Sequence, residues 1–226
     1  MTPTVTVVML AYKSPAWMRF ALEGLANARN ATPYRVMVVG NDASDEVRNT
    51  GRLDVDFRNK NPDEYYINRV YRAWNYGVKM ADTDLVVLIN SDMYVSNFWL
   101  DELVKACQMH ERIIPCSLLV ESGRIDSAMP EHVRDFGYSP LGFDRDGWSK
   151  HALNVRQPYR YEPGRLFMPA LFERRDFLRW GGYPEGNVDG VSGDRFMFDR
   201  CIERGYKHYT CLGSVVYHVQ EGEMRC

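Results

Sequence analysis

Asp84-Leu-Val-Val-Leu-Ile-Asn-Ser-Asp-Met93 decides the fold: five consecutive aliphatic residues stop abruptly at Asn90-Ser91-Asp92. A run this short, rich in Val, Leu and Ile and closed by polar residues, reads as a strand buried on both faces of a parallel sheet. An open α/β sheet binds its ligand outside the C-terminal ends of such strands, which is where Asp92 falls. The Asp92 carboxylate is a hard oxygen donor, suited to a divalent cation that carries phosphates. Taken alone, the triplet reads as well as a strand running into a helix cap, because Asp and Ser are common there.

The flanking sequence extends the pattern. Val5 to Tyr12 reads as a first strand, and Ser14-Pro15 ahead of Ala16 to Ala28 reads as a capped helix with Pro in its first turn. Tyr34 to Val39 is a second strand, closed by the turn-rich Gly40-Asn-Asp-Ala-Ser-Asp45. Val70, Trp74 and Val78 give Arg69 to Met80 helical spacing, leading into the strand from Leu85. Strand and helix alternate to about Cys107, which predicts an α/β fold with a mostly parallel central sheet flanked by helices. Ile113 to Val120 continues as a strand. From Glu121 to Arg165 the chain is rich in Gly, Pro, Asp, Arg and aromatics without a sustained period, so this stretch is expected to be loop-rich, and either functional or hiding short elements. Order is expected again as a strand over Leu166 to Phe172, helices over Glu173 to Trp180 and Asp194 to Arg204, and a strand over Ser214 to His218.

With 226 residues and 45% hydrophobic content, the chain supports one sizeable core and is short for two. One domain over 1–226 is expected, with an α/β half over 1–107 and an elaborated C-terminal half over 108–226. A net charge of -2 gives no global bias toward nucleic acid or membrane surfaces, and leaves room for a local basic face. The five cysteines, Cys107, Cys116, Cys201, Cys211 and Cys226, are odd in number and contain no C-x-x-C pair, which suggests free thiols in a reducing, cytoplasmic setting. The first residues lack the basic region of a signal peptide, and no apolar run approaches the ~20 residues needed to span a bilayer.

Four pieces recur in a fixed order: Val5-Thr-Val-Val-Met-Leu-Ala-Tyr12; Val38-Val-Gly-Asn-Asp42-Ala-Ser-Asp45; Leu88-Ile-Asn90-Ser-Asp92; and Gly181-Gly-Tyr-Pro-Glu185 followed by Gly193-Asp194, Arg200, Gly205-Tyr-Lys207 and Val216-Tyr-His218. The ordered set resembles the family 2-type glycosyltransferases of the GT-A (Rossmann-like) fold, over nearly the whole chain apart from Glu121 to Arg165. The resemblance implies a transferase moving one sugar from a nucleoside diphosphate sugar, a UDP-sugar by preference, to an acceptor hydroxyl with Mn2+ or Mg2+. It places Ala11 and Tyr12 against the nucleoside, Asp42 on the base edge, and Asn90, Ser91 and Asp92 at the diphosphate. Asp92 and the C-terminal His218 are then the metal ligands, in an Asn-x-Asp form of the family's Asp-x-Asp motif that carries one acid fewer. Asp194 matches the family's catalytic acid, six positions before Arg200, which is expected to orient Asp194 or reach phosphate. Here Gly193 stands where the family has Glu, and Phe196 where it has a second acid.

These residue types suit the chemistry. Negative charge builds on the β-phosphate as the sugar leaves, and a cation held by carboxylate and imidazole stabilises it. The acceptor hydroxyl needs a base to take its proton, and in-line attack with Asp194 in that role inverts the anomeric centre. Asp189, in the same Gly-rich segment, is the second candidate base, and a helix cap is the plainer role for Asp194. Trp180 or Tyr183 could stack on a sugar, although core packing is commoner beside Gly-Gly. Trp148, Lys150, Arg156, Tyr159, Arg160, Tyr161 and Arg165 mix basic and aromatic residues that could grip a saccharide, protein, lipid-linked phosphate or modified nucleobase acceptor, or simply line a solvated loop. Two other readings remain open. One is nucleotidylyl transfer, although Ala11-Tyr-Lys-Ser-Pro15 lacks the Gly-rich phosphate loop; the other is a non-catalytic nucleotide-sugar-binding module.

Overall fold

The computed structural model describes residues 5–61, 65–125 and 129–223. Strand β1 (Val5–Ala11) is buried at every position. It leads into α1 (Pro15–Asn27), where Ser14 caps the helix by accepting from the Ala16 N–H and Pro15 opens the first turn. Strand β2 (Tyr34–Asn41), the short α2 (Asp45–Arg48) and β3 (Val55–Phe57) follow. Helix α3 (Tyr66–Met80) then runs into β4 (Leu85–Ile89), whose five side chains are all buried, as the aliphatic run predicts.

Beyond β4 come β5 (Met93–Val95), α4 (Trp99–Met109), β6 (Ile113–Glu121), α5 (Arg145–Val155), β7 (Tyr161–Pro163), β8 (Ala170–Glu173), α6 (Arg174–Arg179), α7 (Gly193–Glu203) and β9 (Lys207–His218). One sheet runs β3-β2-β1-β4-β8-β6-β9-β5, with β7 also paired to β9. The sheet is parallel from β3 through β4 and mixed beyond, where β8 enters antiparallel to both β4 and β6.

Register positions the site. β1 pairs with β2 from Val5–Tyr34 to Ala11–Gly40 and with β4 from Val5–Leu85 to Met9–Ile89, so the ends of these strands reach one edge together. β9 pairs antiparallel with β5, setting His218 opposite Met93, and parallel with β6, setting His218 opposite Glu121. A histidine over 120 residues away in sequence thus arrives next to the turn that follows β4.

The stretch from Glu121 to Arg165 is more ordered than its composition suggests. It holds α5, a 3-10 turn at Pro130–His132, and β7. Asp144 caps α5 through the Gly147 N–H, and Trp148 and Ala152 seal it onto the sheet beside Tyr217. Only those two α5 residues are buried, too few for a legible apolar stripe. The expected strand over Leu166 to Phe172 is confined to Ala170–Glu173. The last strand begins at Lys207, well before Ser214, with a bulge against β6 at Ser117/Leu118. Cys107, Cys116, Cys201 and Cys211 are free thiols, and Cys226 lies outside the described residues. Among the described residues no helix is long and apolar enough to cross a membrane.

Candidate active site

Three groups of side chains gather around the first turns of α3. The first lies at the ends of β1 and β2. Asp42 has a positive φ of 50°, a conformation that Asp tolerates better than most residues, and this turns its carboxylate back onto the chain. Its Oδ1 accepts from the Asn59 N–H at 2.8 Å, and its Oδ2 accepts from the Asn59 side chain at 2.8 Å and from Arg69 of α3 at 3.3 Å. Arg69 also reaches the Tyr12 hydroxyl at 3.4 Å, and the Tyr12 ring lies 5.3 Å from that of Tyr66. Ala11, at the end of β1, is fully buried beneath them.

The second group follows β4. Asn90 and Ser91 form a tight turn in which the Met93 N–H returns to the Asn90 carbonyl at 3.3 Å. Asp92 Oδ2 accepts from the Gly222 N–H at 3.1 Å and lies 3.5 Å from His218 Nε2. The other ring nitrogen, Nδ1, is held by Glu121 Oε1 at 2.8 Å, and Gln220 donates to the same oxygen at 3.3 Å. Gly222 permits this approach, since a Cβ there would sit 2.7 Å from that of Asp92. Burial pushes Asp92 up, but the facing His218 charge and hydrogen bonds outweigh it and hold the carboxyl below its usual range. Burial pulls His218 down, yet Asp92 and Glu121 on either side raise it to about 10. Glu223 accepts from the Lys13 N–H at 3.2 Å, and its Oε1 is buried with no hydrogen-bond partner among the described residues. Burial, opposed by bonds from Ser91 and the backbone, lifts Glu223 to about 7.

The third group centres on Asp194, in the first turn of α7. Ser192 caps that helix, accepting from the Arg195 N–H, so the Asp194 side chain is not used as the cap. Tyr71 of α3 donates to Asp194 Oδ2 at 3.1 Å, while the Asp194 N–H donates to the same hydroxyl at 3.2 Å. Oδ1 is buried without a partner among the described residues. Burial lifts the Asp194 carboxyl to about 6, against the lowering effect of the Tyr71 bond.

Tyr66 joins the first two groups, since it packs on Tyr12 while Glu223 and Asp92 both lie close enough to raise its phenol electrostatically. Other candidates fall elsewhere. Arg200 donates to the carbonyls of Trp180 and Gly182 and stacks over Phe196, so its guanidinium fastens the 180–182 turn to α7. Asp189 is exposed at φ 50°, on a turn closed by the Val188–Val191 bridge. Trp180 and Tyr183 are core residues. In the basic-aromatic stretch, Trp148 is buried, and Arg156 is tied to the buried carboxylate of Glu102 at 3.1 Å, so the stretch does not form a continuous surface.

A family model described as Glycosyl transferase family 2 matches residues 6–159, more than half of the chain. The chain belongs to glycosyl transferase family 2. No curated protein matches it in sequence. Among solved structures it is similar to S. aureus TarS residues 1–349, with TM-score 0.61 and 13% identity over 95% of this chain and 60% of that one. It is also similar to GalNAc-T7 crystallised with UDP, GalNAc and Mn2+, with TM-score 0.64 and 12% identity over 96% of this chain and 44% of that one. The chain therefore spans less than two thirds of the length of either neighbour. At these identities the neighbours establish the fold, GT-A.

Five of the residues that build this candidate site carry no motif in the sequence: Asn59, Tyr66, Arg69, Tyr71 and Glu121. The signal that could have exposed Glu121 is its position, an acid directly at the end of a mostly apolar run that is buried throughout. Glu223 lies past the last recognisable strand and has no comparable cue.

Proposed function

We propose that this family 2 glycosyltransferase moves a single sugar from a UDP-sugar to an acceptor hydroxyl with inversion, Asp194 serving as base. The observation that carries the reading is the gathering of three groups around one helix. Through Arg69, Tyr66 and Tyr71, the first turns of α3 meet the Asp42 cluster, the surroundings of Asp92 and Glu223, and Asp194.

Asp42 and Asn59, with Tyr12, hold the base and ribose; Ala11 is the floor beneath. Asn90, Ser91 and Asp92 face the diphosphate. Among the described residues there is no cluster of three or more His, Cys, Asp and Glu side chains already arranged around a metal position. The residues nonetheless fit a hard divalent ion: Asp92 and His218 Nε2 face each other, and Glu223 Oε1 is a buried oxygen with no partner among the described residues. Asp92, His218 and Glu223 would hold Mn2+ or Mg2+ there, and the positive charge so held would offset the negative charge of a departing diphosphate. Glu121, by accepting from Nδ1, aims Nε2 of His218 at Asp92. Asp194 Oδ1 takes the proton of the acceptor hydroxyl, and its raised acidity range near 6 keeps it both ionised and basic at neutral pH. Residues 1–107 hold the nucleotide in this scheme, while His218 and Glu223 reach back from the 108–226 half that receives the acceptor. The free thiols accord with a reducing compartment such as the cytoplasm.

The test is a thermal-shift panel of nucleotide sugars with and without Mn2+, since a ligand that binds only the native state raises its melting temperature. A Mn2+-dependent rise with a UDP-sugar, lost in Asp92→Ala, is the expected result. No rise with any nucleotide, or a full rise in Asp92→Ala, would overturn the assignment.

A further inference from the structure

Position 193, where the family resemblance puts an acid, is glycine, and the space a side chain would need is taken. A Cβ there would lie 2.3 Å from Cε2 and 2.7 Å from Cζ of Tyr71, and 3.0 Å from the Gly186 carbonyl oxygen. Neither the ring nor the carbonyl can give way easily. The Tyr71 ring is buried and stacks on Tyr183 at 5.1 Å with the planes 2° apart. Tyr183 is itself pinned by Asn75, which accepts from its N–H and donates to its carbonyl, both at 2.8 Å. Gly193 and Tyr71 therefore form a steric pair: the phenol sits under the start of α7 because residue 193 has no side chain.

The hydrogen bonding has a direction. The Asp194 N–H donates to the Tyr71 oxygen, leaving the single phenolic hydrogen for Asp194 Oδ2. One carboxylate oxygen is thereby held, and the other is left buried and without a partner among the described residues. We propose that Tyr71 is a positioning residue of the transfer reaction, clamping Asp194 through Oδ2 so that Oδ1 is presented to the acceptor hydroxyl, with Gly193 as the substitution that admits it. The proposal rests on Asp194 being the base. In the step it serves, the acceptor O–H bond breaks as its oxygen bonds to the anomeric carbon. The proton passes to Oδ1, and UDP leaves with the electron pair of the broken sugar–phosphate bond. The other titratable groups that face Asp194 are Tyr183 from the turn before α7 and Cys116 from β6, both pushed up by burial and neutral around pH 6. Arg195, next along α7, is exposed and directed to Asp199 at 3.5 Å.

Tyr71→Phe keeps the ring, its stack and its place under Gly193 while removing only the hydroxyl. Two readouts apply to the full chain: carbon-13 NMR titration of the Asp194 carboxyl, which needs no substrate, and Mn2+-dependent UDP release from UDP-glucose and UDP-N-acetylglucosamine with water as acceptor. In a folded Tyr71→Phe, the Asp194 midpoint rises, because a donor to the carboxylate is gone. The kcat falls roughly tenfold to a hundredfold with KM for the donor unchanged, and the loss disappears in an Asp194→Asn background. Gly193→Ala, whose Cβ displaces the ring, reproduces the kcat loss. A folded Tyr71→Phe with unchanged Asp194 midpoint overturns the clamp, as does one with unchanged kcat. An Asp194→Asn enzyme with native kcat is a different outcome, which removes the base assignment beneath the proposal.

Discussion

Asp194→Asn is expected to make the protein more stable while abolishing transfer. Burial lifts the folded carboxyl from 3.8 to about 6. Between those values the native state holds a proton that the unfolded chain has released, so stability falls as pH rises through the window, and the loss is complete above it. A window about two pH units wide, at roughly 1.36 kcal/mol for each, costs about 3 kcal/mol at pH 7.5. The amide has no charge to desolvate, still accepts from Tyr71 through its oxygen, and leaves one polar atom without a partner, as the carboxylate does now among the described residues. For a chain of this length, about 3 kcal/mol corresponds to a rise in melting temperature of roughly 6 to 12 °C. Urea denaturation of both proteins at pH 7.5 and at pH 4 gives the comparison: a difference of a few kcal/mol at the higher pH should shrink toward zero at the lower. A mutant that is equally stable at pH 7.5, or whose advantage does not depend on pH, would show that Asp194 is not a desolvated carboxylate. The assignment of a base tuned by burial would fall with it.

The raised carboxyl also gives the activity a pH dependence: a base with a midpoint near 6 is protonated and idle below it, so the rate of UDP release should rise through pH 6 and level off by about pH 7, measured at saturating Mn2+. Glu121→Gln weakens the anchoring of His218 Nδ1, and Mn2+ affinity measured by calorimetry is expected to drop roughly tenfold to a hundredfold. Asp42→Ala leaves the half-buried Arg69 without its carboxylate and removes both bonds to Asn59. KM for the nucleotide sugar should rise, and stability by urea melt should fall by about 3 kcal/mol. Glu102→Ala, on the α4 side, strips Arg156 of its buried partner and frees the Tyr159 N–H; about 3 kcal/mol of stability should be lost, with kcat per folded molecule unchanged.

The parts of the fold that could be read from sequence are those where a single local rule governs. β1 and β4 are aliphatic throughout because both of their faces are covered, and Ser14-Pro15 starts α1 by capping chemistry alone. α5 escaped because only Trp148 and Ala152 mark its inner face, while Gly147 and Ser149 are weak helix formers. The early half of β9 escaped because Lys207, His208 and Tyr209 gain their strand geometry from pairing with Ile113, Ile114 and Pro115, a contact made nearly a hundred residues away. Asp42, Asp92, Asp194 and His218 stood out as polar residues at element ends. Their partners stood out less, since Tyr71 and Arg69 sit inside a helix whose sequence pattern is already accounted for, and Glu121, though at a strand's end, belongs to no motif.

Helix α3 explains why those partners matter. At about 100° per residue, Tyr66 and Arg69 lie some 60° apart on one face, and Tyr71 projects about 160° from Arg69, on the opposite face. The Asp42 group therefore meets one face of the helix and the Asp194 group meets the other. The period that identifies the helix, carried by Val70, Trp74 and Val78, belongs to the core stripe; Tyr71 lies on that stripe and reads as one more core residue, while Tyr66 and Arg69 lie off it. The stripe fixes the helix against β1 and β2, where Gly77 allows close packing on Val8 and Val39. Because the core holds α3 rigidly, Arg69, Tyr66 and Tyr71 inherit fixed positions, and the groups they meet are set relative to one another without loops having to supply the precision. A cavity placed in this stripe, as by Trp74→Ala, would loosen both sides of the site together, whereas losses at Asp42 or Tyr71 stay confined to their own side.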